Sequence, residues 1–256
     1  MRLSEEVWHT FFGSDYLTFS EVILSPERTR FEVQRILELL DLPPAASILD
    51  LGCGQGRIAV PLAKMGYRVT GYDGSPELLE AARRRAAEAG ADVRFLHGDM
   101  RDLDFDEEFD AVLNVGTAFG YIADEEGDRR ILNRVRLALK PGGSFLQETE
   151  NRDYKLQGLR NTWNEMNGRP VFSERQFDSV SGRWTERIFW FEGSEKKGTV
   201  LNVRLYAATE LIAMTRNAGL QVTDVFGGFD FSPLKADSPR MLILSKKEQS
   251  RWRANM

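Results

Sequence analysis

The sequence predicts a doubly wound α/β sheet, and three observations carry that prediction. Short β-prone runs alternate with amphipathic helical patterns through the first 150 positions. Such alternation builds a mostly parallel sheet with helices on both faces. Several of the runs close on an acid or an amide, at Asp50, Asp73 and Asn114. The first run, Ile48-Leu49-Asp50-Leu51, passes into Gly52, Gly54 and Gly56 and then into a helical pattern of Ile58, Ala59, Leu62 and Ala63. That is a strand, a tight glycine turn and a helix start. Glycine lets backbone approach a ligand closely, and a helix N-terminus offers unpaired N–H groups.

Taken in order, residues 1–24 are rich in aromatics: Trp8, Phe11, Phe12, Tyr16 and Phe19. A segment of this kind is stable only if it docks, either as a helix on the domain edge or as a lid over a cleft. Ser25-Pro26 reads as an N-cap followed by proline at the first helical position. The helix runs to about residue 40, with Val33, Ile36, Leu37 and Leu40 on one face. Arg30 flanks that face and Arg28 is expected to point away. Arg30 is either solvated or reaches an anionic ligand at the glycine turn. Strand two is expected at 68–72, closed by Asp73, and Ser75-Pro76 caps the next helix. An acid at that strand end can accept both hydroxyls of a ribose. Strand three is expected at 93–97, strand four at 109–114 and strand five at 144–150. A helix spans 124–139, and Lys140-Pro141-Gly142-Gly143 forms a sharp turn. The segment 115–121 follows strand four and borders the reaction site by the C-terminal-end rule for open sheets.

Residues 155–204 depart from the alternation. Runs at 171–177, 183–191 and 200–205, split by turn residues, predict an antiparallel hairpin or small sheet. A helix at 209–218 and strands at 220–226 and 241–245 complete the chain.

Composition narrows the function. The 256 residues are 42% hydrophobic with a formal charge of −5, enough for a sizeable core and unlike a phosphate-tracking nucleic-acid binder. Lys246, Lys247, Arg251 and Arg253 form the one basic cluster and read as a solvated, frayed end. The single cysteine, Cys53, excludes an internal disulfide and reads as a packing residue in the turn. With two histidines, His9 and His97, no metal site is expected. The N-terminus is not a signal peptide and no apolar run reaches the ~18 residues of a membrane span. A cytoplasmic protein is expected. The third position of the dinucleotide fingerprint Gly-x-Gly-x-x-Gly is Arg57, too large for close helix–strand contact.

The ordered set Ile48–Gly56, Asp73, Gly98-Asp99-Met100, 109–114 and 139–143 resembles the motifs of class I S-adenosylmethionine (SAM) methyltransferases, over roughly residues 45–150. Thr117-Ala118-Phe119-Gly120-Tyr121 and Asn151-Arg152-Asp153 look like a bacterial small-molecule subgroup. The resemblance implies a Rossmann-like, mostly parallel seven-stranded sheet whose last two strands form an antiparallel hairpin. The inserted β cap and an N-terminal helical lid complete one domain, divided at 1–44, 45–154, 155–204 and 205–256. It implies S-adenosyl-L-methionine as cofactor, with Asp73 on ribose, and Asp99 and the Met100 N–H on adenine. Gly52, Gly54, Gly56, Tyr16, Arg30 and Asn114 complete the expected cofactor set. One departure stands out: the family usually has an apolar residue after the ribose-binding acid, against adenine, and this chain has Gly74.

Methyl transfer from a sulfonium is an in-line displacement that needs alignment and exclusion of water. Glu148 and Tyr121 are the expected catalytic residues, with Tyr16, Asn151 and Arg152 as further acceptor contacts. Glu148 and Glu150 are either solvated strand ends or carboxylates that orient an amine or take its proton. The expected activity is methyl transfer to nitrogen or oxygen of a small molecule, in a pocket walled by residues 1–24 and by Trp163, Trp184 and Trp190. A homodimer through the cap is a further expectation. RNA or protein as acceptor, or SAM binding without turnover, are the alternatives.

Overall fold

The computed structural model describes residues 6, 8–166 and 168–249. The chain opens with helices α1 (Trp8–Phe11), α2 (Ser14–Ile23) and α3 (Pro26–Leu40). The side chain of Phe19, and the tail residues Arg251 and Arg253, lie outside what is described. Ser25 Oγ accepts from the Arg28 N–H at 3.2 Å, so the expected cap forms. Then β1 (Ser47–Leu51), α4 (Ala59–Lys64), β2 (Arg68–Asp73), α5 (Pro76–Ala89) and β3 (Val93–His97) follow. A single 3-10 turn, Met100–Asp102, leads to β4 (Phe109–Asn114), α6 (Glu125–Ala138) and β5 (Leu139–Glu150).

The main sheet has seven strands in the order β10-β11-β5-β4-β1-β2-β3, where β10 is Leu220–Phe226 and β11 is Arg240–Lys247. Of its strands only β11 runs against its neighbours, β5 and β10. The strand order reverses between β1 and β4, and a cleft opens at the carboxyl ends there. Alternating side chains of each strand feed two cores. Ile48, Leu113 and Leu146 pack with Val33 and Ile36 of α3 and Leu62 of α4. Leu49, Val112 and Phe145 pack on the other face with Ile131 and Val135 of α6. Burial on both faces explains the near-continuous apolar runs of β1 and β4.

Several boundaries differ from the sequence reading, and two have a clear cause. β5 starts at Leu139, because the 140–143 turn is absorbed as a register shift: Leu139 pairs with Phe109, and Ser144 with Ala111. Lys246 and Lys247 belong to β11 and are not a frayed end; Lys247 reaches Glu107 and the Leu139 carbonyl.

After α7 (Arg152–Gln157) comes the second sheet, β6 (Thr162–Met166), β7 (Arg169–Asp178), β8 (Arg183–Glu192) and β9 (Glu195–Arg204), paired antiparallel in that order. It gains one strand, β6, over the sequence reading. Its own core is Trp184, Val203 and Leu205, and Tyr121 packs against it. Arg204 N–H donates to the Gly120 carbonyl at 2.8 Å, which ties this sheet to the loop after β4. Helix α8 (Ala208–Asn217) returns the chain to β10.

Candidate active site

The cleft at the switch point is lined from one side by Trp8, Phe12 and Tyr16. Gly52, Gly54, Asp73, Gly74, Asp99 and Met100 form its floor, and Thr117, Ala118, Tyr121 and Ile122 close the far wall. Gly52 has φ +79°, and a side chain there would meet the Ala118 methyl at 2.5 Å. Only glycine keeps this part of the cradle open.

Asp73 ends β2 with both carboxylate oxygens already oriented. One accepts from Gly54 N–H and the other from Ser75 N–H, each at 2.8 Å. Each oxygen keeps a lone pair for donors in the cleft. Burial raises the Asp73 carboxyl above its ordinary range, outweighing those N–H bonds. Asp99 caps the 3-10 turn and accepts from Arg101 N–H at 2.8 Å. The Arg101 guanidinium grips it through Nε at 3.0 and 2.9 Å. Burial raises the Asp99 carboxyl, but the hydrogen bonds and charge of Arg101 overcome it and hold the group below the usual carboxylate range.

Tyr16 and Tyr121 face each other across the cleft through the ring of Phe12, which lies 5.0 Å from each. Burial pushes both phenols up, Tyr121 furthest. Both are therefore neutral hydroxyls near pH 7.

Several expected residues lie elsewhere, each for a physical reason. Gly56 does not line the cleft; a Cβ there would meet Ala82, Phe95 and Val60 at 3.2–3.3 Å, so its role is close packing of α4 and α5 on the sheet. Asn114 sits behind Gly52 and donates to the Leu51 carbonyl at 2.8 Å, bracing β1 against β4. Arg30 is exposed and pairs with Glu27 at 2.9 Å. The helix phase instead turns Arg28 towards buried Glu32, at 2.6 Å, and Arg57 meets the same carboxylate at 2.5 Å. Glu150 pairs with Lys155 at 2.7 Å. Asn151 is buried as the cap of α7 and donates to the carbonyls of Lys235 and Ser238, and Arg152 pairs with Glu210. The cap tryptophans do not wall the cleft either. Trp184 is buried in the second sheet's core, Trp190 is buried but does not line the cleft, and Trp163 is 65% exposed.

Glu148 is the largest correction. It is 1% exposed and does not line the cleft. One oxygen accepts from Gly116 N–H at 2.5 Å and Thr117 N–H at 3.3 Å, and the other faces Arg240 Nε at 3.3 Å. Thr117 has φ +60°, a strained conformation for a β-branched residue. Arg240 also donates to Thr117 Oγ1 at 2.8 Å. Glu148 and Arg240 hold a strained turn at the cleft's edge.

Sequence reasoning missed Asp128, which lines the deep end of the cleft with Ile122 and Ile131. One of its oxygens accepts from Tyr206 O–H at 2.6 Å and the other is buried without a hydrogen-bond partner. Burial pushes its carboxyl up to about 7. Inside an amphipathic helix, Asp128 gives no sequence signal apart from its neighbours.

Comparison with known proteins agrees with this geometry. A family model described as a methyltransferase domain matches residues 48–143. The cypemycin N-terminal methyltransferase of Streptomyces sp is 30% identical over 79% of this chain and 83% of that protein. The structure of the CcbJ methyltransferase from Streptomyces caelestis superposes with a TM-score of 0.83 at 20% identity, over 94% of this chain and 99% of that one. A SAM-bound amino pentose methyltransferase from Micromonospora echinaspora gives 0.65 at 23% identity, over 88% and 96%. With the glycine cradle, the paired acids and the seven-stranded order, these place the chain in the class I family of SAM-dependent methyltransferases.

Proposed function

We propose that the enzyme transfers the SAM methyl group to a nitrogen or oxygen of a small molecule held in the cleft under α1 and α2. The observation that carries this reading is the cleft's lining. It is walled by aromatic rings, its charged lining residues are Asp73, Asp99 and Asp128, and no lysine or arginine lines it among the described residues. A polynucleotide needs an open, basic groove.

In this reading Asp73 holds the ribose hydroxyls, Asp99 and the Met100 N–H hold adenine, and Gly52 and Gly54 border the methionine part. When bound, SAM supplies an electrophilic methyl on a sulfonium. The chain supplies alignment and a dry site. Tyr16 and Tyr121, both neutral, donate or accept hydrogen bonds to orient the acceptor's lone pair. Glu148 acts through the Gly116–Thr117 turn. With no lysine or arginine among the described lining residues, the cleft favours an acceptor bearing an amine over an anionic one, and the cypemycin relative is by its name an N-terminal methyltransferase.

The test uses SAM labelled in its methyl group, incubated with the enzyme and with separate small-metabolite, RNA and protein fractions of bacterial cells. Label in the small-metabolite fraction, with matching release of S-adenosylhomocysteine, is the expected result. Label in RNA or protein alone would overturn the small-molecule reading.

A further inference from the structure

Gly74 leaves a bare patch of backbone between Asp73 and the Gly98-Asp99-Met100 strand end. Its φ is not positive, so nothing in the backbone reserves the position for glycine. What excludes a side chain is Trp8. The three atoms nearest a Cβ built on Gly74 are Cζ3, Cη2 and Cε3 of the Trp8 indole, at 2.5, 3.0 and 3.3 Å. The benzo edge of Trp8 therefore occupies the volume a side chain at 74 would fill, and it lines the cleft beside Asp73, Asp99 and Met100.

The indole is held there from several directions. His9 stacks on it, with centroids 3.6 Å apart and planes at 28°. Its Nε1 donates to Glu6 Oε2 at 3.0 Å. Glu6 accepts two bonds from the Arg101 guanidinium, at 2.9 and 2.6 Å, and Arg101 is the residue that grips Asp99. Ser75 Oγ donates to the Phe12 carbonyl at 2.7 Å, pinning the end of α1 to the loop that carries Gly74. An aromatic ring thus reaches from the N-terminal segment to Gly74 beside Asp73, and a fork–fork ion pair reaches through Arg101 to Asp99.

We propose that Trp8 and Gly74 act as one unit: the Trp8 indole supplies the apolar surface against adenine that position 74 lacks. The N-terminal segment then completes the cofactor site, and its docking through Glu6–Arg101–Asp99 is linked to SAM binding. This rests on the adenosine placement proposed above.

The experiment titrates S-adenosylhomocysteine by calorimetry into full-length protein, with thermal unfolding to show that each variant is folded. A purine stacked on an indole is worth about 1–3 kcal/mol. Trp8→Ala is therefore expected to weaken binding by about 5- to 150-fold. Gly74→Leu alone should also weaken binding, because the new side chain meets the indole. Combined with Trp8→Ala, Gly74→Leu has room and should recover affinity to within about threefold of wild type. Unchanged or tighter binding by Trp8→Ala would overturn the proposal, as would a double variant no tighter than Trp8→Ala alone. Asp73→Ala separates the two layers of the argument. If it weakens binding while Trp8→Ala does not, only the indole proposal falls; if neither weakens it, the adenosine placement falls too.

Discussion

Replacing Asp73 by alanine removes a carboxylate whose surroundings allow its effect to be divided. Two of its acceptor sites are taken by backbone, Gly54 N–H and Ser75 N–H at 2.8 Å each. Those bonds exist with or without cofactor, so their loss appears in stability, at about 1–3 kcal/mol for donors left unpaired in a largely dry site. The lone pairs that face the cleft are the ones available to ribose. Hydrogen bonds to a charged group are worth about 1.5–3 kcal/mol. Affinity for S-adenosylhomocysteine should fall by about 10- to 150-fold. Calorimetry well below the variant's unfolding midpoint measures this, and thermal unfolding reads the backbone part separately. An unchanged dissociation constant in a folded variant would refute the reasoning, because ribose would then lie away from the end of β2.

Two further predictions concern buried carboxylates. Burial raises Asp128 to about 7, so the folded protein binds its proton more tightly than the unfolded chain does. This group's contribution to stability is present at low pH and is lost as pH rises from about 4 to about 7, by up to ~4 kcal/mol at ~1.4 kcal/mol per pH unit. Asp128→Asn removes the titration, so variant-minus-wild-type stability from urea unfolding should climb across that window; a flat difference would contradict the assignment. Glu148→Gln weakens the hold on Arg240 and on the strained Gly116–Thr117 turn. It should cost about 1.5–3 kcal/mol of stability and lower kcat while leaving the S-adenosylhomocysteine dissociation constant within about threefold; unchanged stability and turnover would show that the turn holds itself.

What the sequence made legible is what depends on neighbours along the chain. The strand–turn–helix unit at 47–64, the caps at Ser25 and Ser75, and Asp73 at a strand end follow from periodicity and local hydrogen bonding, and all appear in the structure. The bare position at Gly74 was also readable, but its complement, Trp8, lies 66 positions away and required the fold. Arginine placement failed on helix phase. Residues 28 and 30 lie about 200° apart on a helix, and a face drawn from the apolar positions alone omits buried Glu32, which draws Arg28 inward and leaves Arg30 outside; Arg57 was read as an obstacle to a dinucleotide instead of a partner for Glu32. Glu148 looked like a chemical group because it lies near the carboxyl end of a core strand. Its partners Gly116, Thr117 and Arg240 come from two other parts of the chain, and with them in place it is structural support. Strand β6 was missed because Thr162–Met166 is a largely exposed edge strand without the alternation that burial imposes.

A crystal structure of the enzyme with S-adenosylhomocysteine would show where adenosine lies. Ribose hydroxyls are expected on the two Asp73 oxygens, adenine between Asp99, the Met100 N–H and the Trp8 indole, and the sulfur facing Tyr16 and Tyr121. Adenosine bound outside the Gly52–Asp73–Asp99 floor, or an indole swung out of the cleft with adenine lying on bare Gly74, would contradict this placement.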